Sequence, residues 1–347
     1  MKRILLVALT FGGLFGTILL ANSEIVPSLL KIEQQATNPW THLNLNNQPK
    51  NFQFAIVTDR TGGHRAMVFE KAVRKLNLLQ PEFVVSVGDL IEGYTDKPER
   101  MQQEWDEFQG FVKQLKMPFF YTPGNHDISN LVMKKDWEQR LGRHYYHFVY
   151  HNTLFLIVNS EATPGSKMEK LGDEQLEYMK KAIQENSNVR WTFVFLHKPL
   201  WVYGTDKMGA ETGWNDLEKA LEGRRWTAFC GHEHKYVTFK RNGNDYIQLA
   251  TTGGGSQMRG KQHGEFDQFA WVTMTDEGPI IGNVLLDGVV DLNLKDDLDY
   301  DVKMAEAQKI QKEAIEAARK KRKEEEDAKK KDAEKKSEDK KVEAKGA

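Results

Sequence analysis

This sequence holds almost nothing with which to cross-link itself. Its 347 residues include one cysteine, Cys230, so no intramolecular disulfide can form. Cys230 follows the apolar run Trp226–Phe229 and reads as a small buried hydrophobe, with metal ligation the minority alternative. No cysteine directly follows the apolar N-terminal run, so a lipid anchor has no support. The formal net charge is −1, and the chain as a whole gives no case for nucleic acid as a partner. The glycine run Gly253–Gly255 lacks the Lys-Ser/Thr pair of a P-loop, which removes that cradle for a nucleoside triphosphate. No internal repeat occurs.

What is present is a globular composition, 39% hydrophobic and 29% charged, with length for one or two domains. Lys2 and Arg3 precede the uncharged stretch Ile4–Leu20, and Ala21-Asn22-Ser23 supplies small residues. This predicts a signal peptide over 1–23, cleaved after Ser23. About 17 residues is also the lower limit for spanning a bilayer, so a retained N-terminal anchor is the alternative. The expected location is periplasmic or extracellular, free or membrane-anchored. Residues 24–50, with Pro27, Pro39 and Pro49, read as a linker with room for one short helix. The folded domain is expected over 51–301. Beyond it, 302–347 is rich in Lys, Glu and Ala and carries roughly +4, leaving about −5 for the rest. This charged tail reads as a solvated extension, helical or disordered. Its other reading is an arm toward a polyanionic or envelope surface or another protein, with Ile310 and Ile315 docking on the domain.

Within the domain, short apolar runs alternate with helical spacing. Strands are predicted at Phe52–Thr58, Phe83–Val87 and Phe119–Tyr121, with helices at His64–Gln80 and Pro98–Leu115 between them. That order implies a largely parallel sheet with right-handed crossovers. The second half adds a hairpin turning at His151-Asn152-Thr153 and a helix over Asp173–Glu185, capped by Asp173. Strands at Thr192–Leu196 and Thr227–Cys230 follow, then hairpins at Asn242-Gly243 and Asp276-Glu277-Gly278. The expected class is α/β, a four-layer sandwich of two mixed β-sheets flanked by helices.

The chemistry gathers where those strands end. Asp59, Asp89, His197, His232 and His234 follow four predicted strands, and Gly124-Asn125-His126-Asp127 forms the loop after a fifth. Ligands bind at the carboxyl ends of strands in such sheets. Two metals close together need a shared carboxylate with oxygen and imidazole partners, and these residues supply that inventory. His232 and His234, two apart on an extended segment, are expected to face one site. Gly88, Gly124 and Gly231 let backbone come close to the metals. A lone His or a Gly-Asn turn is more often structural; the argument rests on the company each keeps.

In order along the chain, Asp59, Gly88-Asp89, Gly124-Asn125-His126-Asp127, His197 and Gly231-His232-Glu233-His234 resemble the motifs of the calcineurin-like metallophosphoesterases. The resemblance covers about 51–300 and extends distantly to purple acid phosphatases. It implies two divalent or trivalent transition-metal ions, with manganese, iron and zinc all open. It implies that Asp89 bridges them, that one takes Asp59 and His234, and that the other takes Asn125, His197 and His232. His126 would contact the phosphate and protonate the leaving oxygen. His126, Asp127 and Glu92 make up the expected catalytic group.

One departure stands out. The family's Asp-x-His reads Asp59-Arg60-Thr61 here, and a Thr hydroxyl is a poor transition-metal ligand. Purple acid phosphatases also lack that His but place a Tyr three residues after the bridging Asp; here that position is Glu92. Glu92 is expected either to complete the first metal's shell or to orient His126. His64 curling in as a ligand is the lesser alternative.

The expected reaction is attack on phosphorus by a hydroxide bridging the metals, with His126 as acid. Arg60 and Arg65 are expected to bind the substrate phosphate as forks. Tyr94, Trp201, Tyr203, Trp214 and Met258 are candidates for a cleft wall or for core. Arg259, Lys261 and His263 can form another rim. The expected function is hydrolysis of a phosphate ester outside the cytoplasm. The alternative is a catalytically weakened binding protein acting through its charged tail. A nuclease has no basic channel to support it.

Overall fold

Alternation of side chains along each strand divides this molecule into layers. In β1 (Phe52–Val57), Phe52, Phe54 and Ile56 face one way while Ala55 and Val57 face the other. β2 (Phe83–Ser86) repeats this with Phe83 and Val85 against Val84. The computed structural model describes residues 30–33, 35–43, 45–161, 170–202 and 212–343, with side chains as far as Lys329. The expected signal segment at 1–23 and Tyr203 lie outside the described residues. The chain divides into a unit up to Asn47, with bends but no helix or strand among its described residues, and a unit from Gln48 onward.

The second unit contains two sheets. In the first, β1, β2 and β3 (Phe119–Phe120) run parallel. The crossover helices α1 (Val68–Leu79) and α2 (Pro98–Val112) connect them. On the other side of β1 lie β10 (Gln268–Met274) and β11 (Pro279–Leu285), giving the order β11-β10-β1-β2-β3. In the second sheet, β5 (Thr153–Ile157), β6 (Trp191–Phe195), β7 (Trp226–Cys230) and β9 (Asn244–Gln248) are parallel. β4 (Tyr146–Tyr150) and β8 (Val237–Arg241) close its edges antiparallel. Both edge hairpins turn on two left-handed residues, His151-Asn152 (φ 42° and 55°) and Asn242-Gly243 (φ 51° and 78°). Such turns match the twist of the strands they join.

The four expected layers are present. Helices α1, α2 and α3 (Leu131–Leu141) cover the outer face of the first sheet. Helices α4 (Asp173–Glu185) and α5 (Trp214–Ala220) cover that of the second. Between the sheets lies a layer dominated by phenylalanine, including Phe52, Phe54, Phe83, Phe155, Phe193, Phe195 and Phe229. Phe54 stacks on Phe83 at 5.2 Å and Phe195 on Phe229 at 5.6 Å between ring centroids. Cys230 is fully buried, as a small hydrophobe would be.

Three local expectations change. Helix α1 begins at Val68 rather than His64, because the Arg65 amide donates to the Gly253 carbonyl at 2.7 Å and Met67 is left-handed (φ 65°). Gly172, not Asp173, occupies the N-cap of α4. The expected boundary at 301/302 falls inside α6 (Leu294–Glu343), a continuous helix whose root docks on α1. Lys75 reaches Asp297 at 2.6 Å, Lys71 reaches Asp301 at 2.8 Å, and the Tyr300 hydroxyl donates to the Met67 carbonyl at 2.7 Å. Gln311 donates to the His64 carbonyl at 2.8 Å and accepts from the Ala66 amide at 3.1 Å. Polar side chains therefore hold this root, whereas Ile310 and Ile315, expected to dock, are exposed.

Candidate metal centre

Parallel strands deliver their carboxyl ends to one edge, and that edge carries the candidate ligands. Asp59 follows β1, Asp89 follows β2, His197 follows β6, and His232 and His234 follow β7. Asn125 lies on the loop between β3 and α3. Four of these six are left-handed without being glycine: Asp59 (φ 30°), Asp89 (57°), His232 (76°) and His234 (50°). Each such residue costs on the order of 1 kcal/mol or more and persists only where its surroundings hold it. The explanation expected for His232 and His234 is thereby replaced. β7 ends at Cys230, and the histidines sit on consecutive bends, not at alternate positions of a strand. A tight turn, with the Glu233 amide donating to the Gly231 carbonyl at 3.0 Å, brings both rings inward.

Two groups of ligand atoms result, each within 4.8 Å: Asp59, Asp89 and His234, and Asp89, His197 and His232. Asp89 belongs to both. His234 Nε2 lies 3.3 Å from Asp59 Oδ1. Around His197 Nε2 converge Asn125 Oδ1 at 2.9 Å, Asp89 Oδ2 at 3.1 Å and His232 Nδ1 at 3.2 Å. The outward nitrogens of two rings are tied to carbonyls, His197 Nδ1 to Val87 at 2.9 Å and His234 Nδ1 to Gly255 at 2.6 Å. This is how metal-binding imidazoles are usually oriented. Oxygen and imidazole nitrogen converging around a shared carboxylate suit a pair of borderline cations.

The local charges agree. Burial opposes the charged form of Asp89, but His197 and then His126 outweigh it and hold the carboxyl at about 2. Burial likewise opposes charge on His197, yet the Asp89 carboxylate pushes that ring up to about 9. Burial, then His197 and Lys198, press His232 down to about 3. Positive charge is thus favoured on His197 and disfavoured on His232 beside it.

The close approach expected at three glycines is present, with a Cβ on Gly88 meeting the Gly124 amide nitrogen at 2.8 Å. A Cβ on Gly124 would lie 2.2 Å from Asp89 Oδ1, and one on Gly231 2.2 Å from Asp59 Oδ2. Asp127 works from behind. Its buried carboxylate accepts from the amides of Asp89 (2.9 Å), Leu90 (2.8 Å), Ile91 (3.1 Å) and Gly124 (2.8 Å). Burial and the Asp89 charge push its carboxyl up, while those amides pull it down. It splints the two loops that carry Asp89 and Asn125.

His126 stands at the edge of the cluster, with Nε2 4.0 Å from Asp89 Oδ2 and its amide donating to Asp89 Oδ1 at 3.0 Å. Its Nδ1 donates to the main-chain carbonyl of Glu92 at 2.7 Å. The Glu92 carboxylate does neither job expected of it. It accepts from the amide and Nδ1 of His64, both at 2.8 Å. Burial opposes its charge, but His64 holds its carboxyl below the usual range. His64, on a loop instead of a helix, points to Glu92 and joins neither ligand group.

Neither arginine is disposed as a phosphate fork. Arg60 is buried, donating to the Leu90 carbonyl at 3.2 Å and to Glu107 at 2.8 Å, with Phe111 beneath it. Arg65 pairs both terminal nitrogens with Asp267 and donates from Nε to the Gly254 carbonyl at 3.0 Å. Trp201 and Trp214 belong to the core beside α4 and α5, whereas Tyr94 and Met258 are exposed. Arg259 pairs with Glu265, and Lys261 and His263 lie on a single 3-10 turn. Sequence reasoning missed the carbonyls of Val87, Glu92 and Gly255. Main-chain acceptors leave no residue-type signal, although the glycine run at Gly253–Gly255 marks one such close approach.

Comparison with known proteins follows the same outline. The profile described as calcineurin-like phosphoesterase matches residues 53–236. The human serine/threonine-protein phosphatase CPPED1 is 25% identical over 246 residues, 66% of this chain and 76% of that protein. A probable glycerophosphodiester phosphodiesterase GpdQ of Arcobacter nitrofigilis is 24% identical over 180 residues, 46% of this chain and 59% of that one. Among solved structures, purple acid phosphatase PPD1 from yellow lupin superposes with a TM-score of 0.53 at 14% identity. That match covers 70% of this chain and 53% of the lupin chain and bears on the fold alone. With strand ends, shared carboxylate and matched segment coinciding, this chain belongs to the calcineurin-like phosphoesterase family.

Proposed function

We propose that this chain hydrolyses a phosphate ester at the cluster around Asp89, with His126 giving the proton to the leaving oxygen. The observation that carries this reading is the pair of ligand groups sharing one carboxylate. Asp59, Asp89 and His234 would hold one cation; Asp89, Asn125, His197 and His232 would hold the other. Such a pair, manganese, iron or zinc, supplies a water activated at neutral pH and charge to match the phosphate oxygens. The rest is the work of side chains. Asp127 fixes the spacing of the loops that bear Asp89 and Asn125. His126 presents Nε2 beside Asp89, within reach of a group bound there. With Arg60 and Arg65 paired to carboxylates, the phosphate would rest on the cations and His126. Glu92 acts through its carbonyl on His126 and through its carboxylate on His64.

The place of action we propose is outside the cytoplasm, supported by the basic start and apolar run of residues 2–20. The test is hydrolysis of nitrophenyl phosphate and bis(nitrophenyl) phosphate by full-length protein, metal-free and with each candidate metal. Metal-dependent turnover, lost by a hundredfold or more in His126→Ala with metal content retained, is the expected result. Equal rates in His126→Ala and wild type, or no metal-dependent turnover, would favour the binding-protein alternative.

A further inference from the structure

The segment Glu92-Gly93-Tyr94 touches two working residues at once. The Glu92 carbonyl accepts from His126 Nδ1 at 2.7 Å. Gly93 packs so closely that a Cβ there would lie 1.7 Å from the His126 carbonyl oxygen. Tyr94 accepts a hydrogen bond on its hydroxyl from Asn125 Nδ2 at 3.0 Å and stands edge-on to the His126 ring at 4.8 Å. Neighbouring helices pin this loop. The Gly93 amide donates to Glu104 of α2 at 2.7 Å, and Asn130, the N-cap of α3, donates to the Thr95 carbonyl at 3.1 Å. Gly93 (φ 56°) and Tyr94 (φ 47°) are both left-handed, an unfavourable state for a tyrosine. Yet 60% of the Tyr94 surface is exposed, so core packing does not account for the strain.

The carboxamide of Asn125 has two ends that differ only in chemistry. Rotated by half a turn, it would present an N–H donor to the cluster in place of Oδ1. Something must accept from Nδ2 on the far side to prevent this, because Asn125 is only 7% exposed. The Tyr94 oxygen is that acceptor. We infer that Tyr94 is a positioning residue for the second cation and a specificity residue for the leaving group. Its hydroxyl turns Asn125 Oδ1 toward His197, and its exposed ring offers an apolar surface beside His126 that favours esters of aromatic alcohols. The inference rests on the proposed function and deepens it.

The test uses full-length protein stripped of metal with a chelator and titrated calorimetrically with Mn2+ or Zn2+. In Tyr94→Phe, which keeps the ring, one of two binding events should weaken roughly tenfold or more and the other should stay unchanged. In Tyr94→Ala, the ratio of kcat/KM for nitrophenyl phosphate over glycerol phosphate should fall about three- to tenfold relative to wild type. Circular dichroism checks that both variants fold. Wild type binding two ions with Tyr94→Phe matching it overturns the positioning role. An unchanged ratio in Tyr94→Ala overturns the specificity role. Wild type that takes up no metal overturns the proposed function, and this inference with it.

Discussion

The middle and the ends of the same strands obey different rules. Within β1, β2, β6 and β7, Phe54, Phe83, Phe193, Phe195 and Phe229 pack ring on ring between the sheets in ordinary extended backbone. A few residues on, Asp59, Asp89, His197 and His232 are polar, closely spaced and, in three of the four, left-handed. The first region buries apolar surface, while the second gathers closely spaced ionisable groups and strained backbone that the first must hold in place. Stability and chemistry are thus separated by two or three residues along one strand, and substitutions should separate them too.

The largest effect is expected at the shared carboxylate. Asp89→Asn keeps the volume but removes the charge common to both ligand groups, so activity should fall more than a hundredfold, beyond what loss of a supporting partner gives. A metal that binds only the folded chain would stabilise it by about 2.7 kcal/mol at a hundred times its Kd. Chelator should therefore lower the Tm of wild type and leave that of Asp89→Asn unmoved. An equal drop in both would break the contrast. Next comes Phe54→Ala, expected to lose about 3–5 kcal/mol in denaturant unfolding. The protein that remains folded should bind its metals with wild-type stoichiometry; loss of metal in that fraction would show that the two regions are not separable. Smallest are the arginines. Arg65→Ala should lower unfolding stability by about 1–3 kcal/mol through the stranded Asp267. It should leave the KM for nitrophenyl phosphate within about twofold, since a partner already bound at 2.7 Å is not available to substrate. A tenfold rise in KM would return Arg65 to the site.

Much of this was legible in the residues themselves. Short apolar runs marked β1 and β2, and a hairpin turn was readable in Asn242-Gly243. Ligand-type side chains after apolar runs pointed to one edge of the sheets, where the structure gathers them. Partner choice was not legible, because it is decided far away in the chain. Arg65 meets Asp267, 202 residues on, and Arg60 meets Glu107, so two guanidinium groups that seemed placed for phosphate are occupied. The start of α1 was missed for a similar reason: its expected first turn is tied to Gly253 and to Gln311 of α6. Glu92 was singled out for its side chain, while its contact with His126 runs through the main chain.

That last contact has a consequence for direction. A peptide carbonyl can accept a hydrogen but has none to give, so the contact with Glu92 holds the hydrogen of His126 on Nδ1. Traffic is then confined to Nε2. In its proposed role the imidazole would be a one-door carrier, loaded when that door is occupied and spent when it is bare, and solvent would have to recharge it.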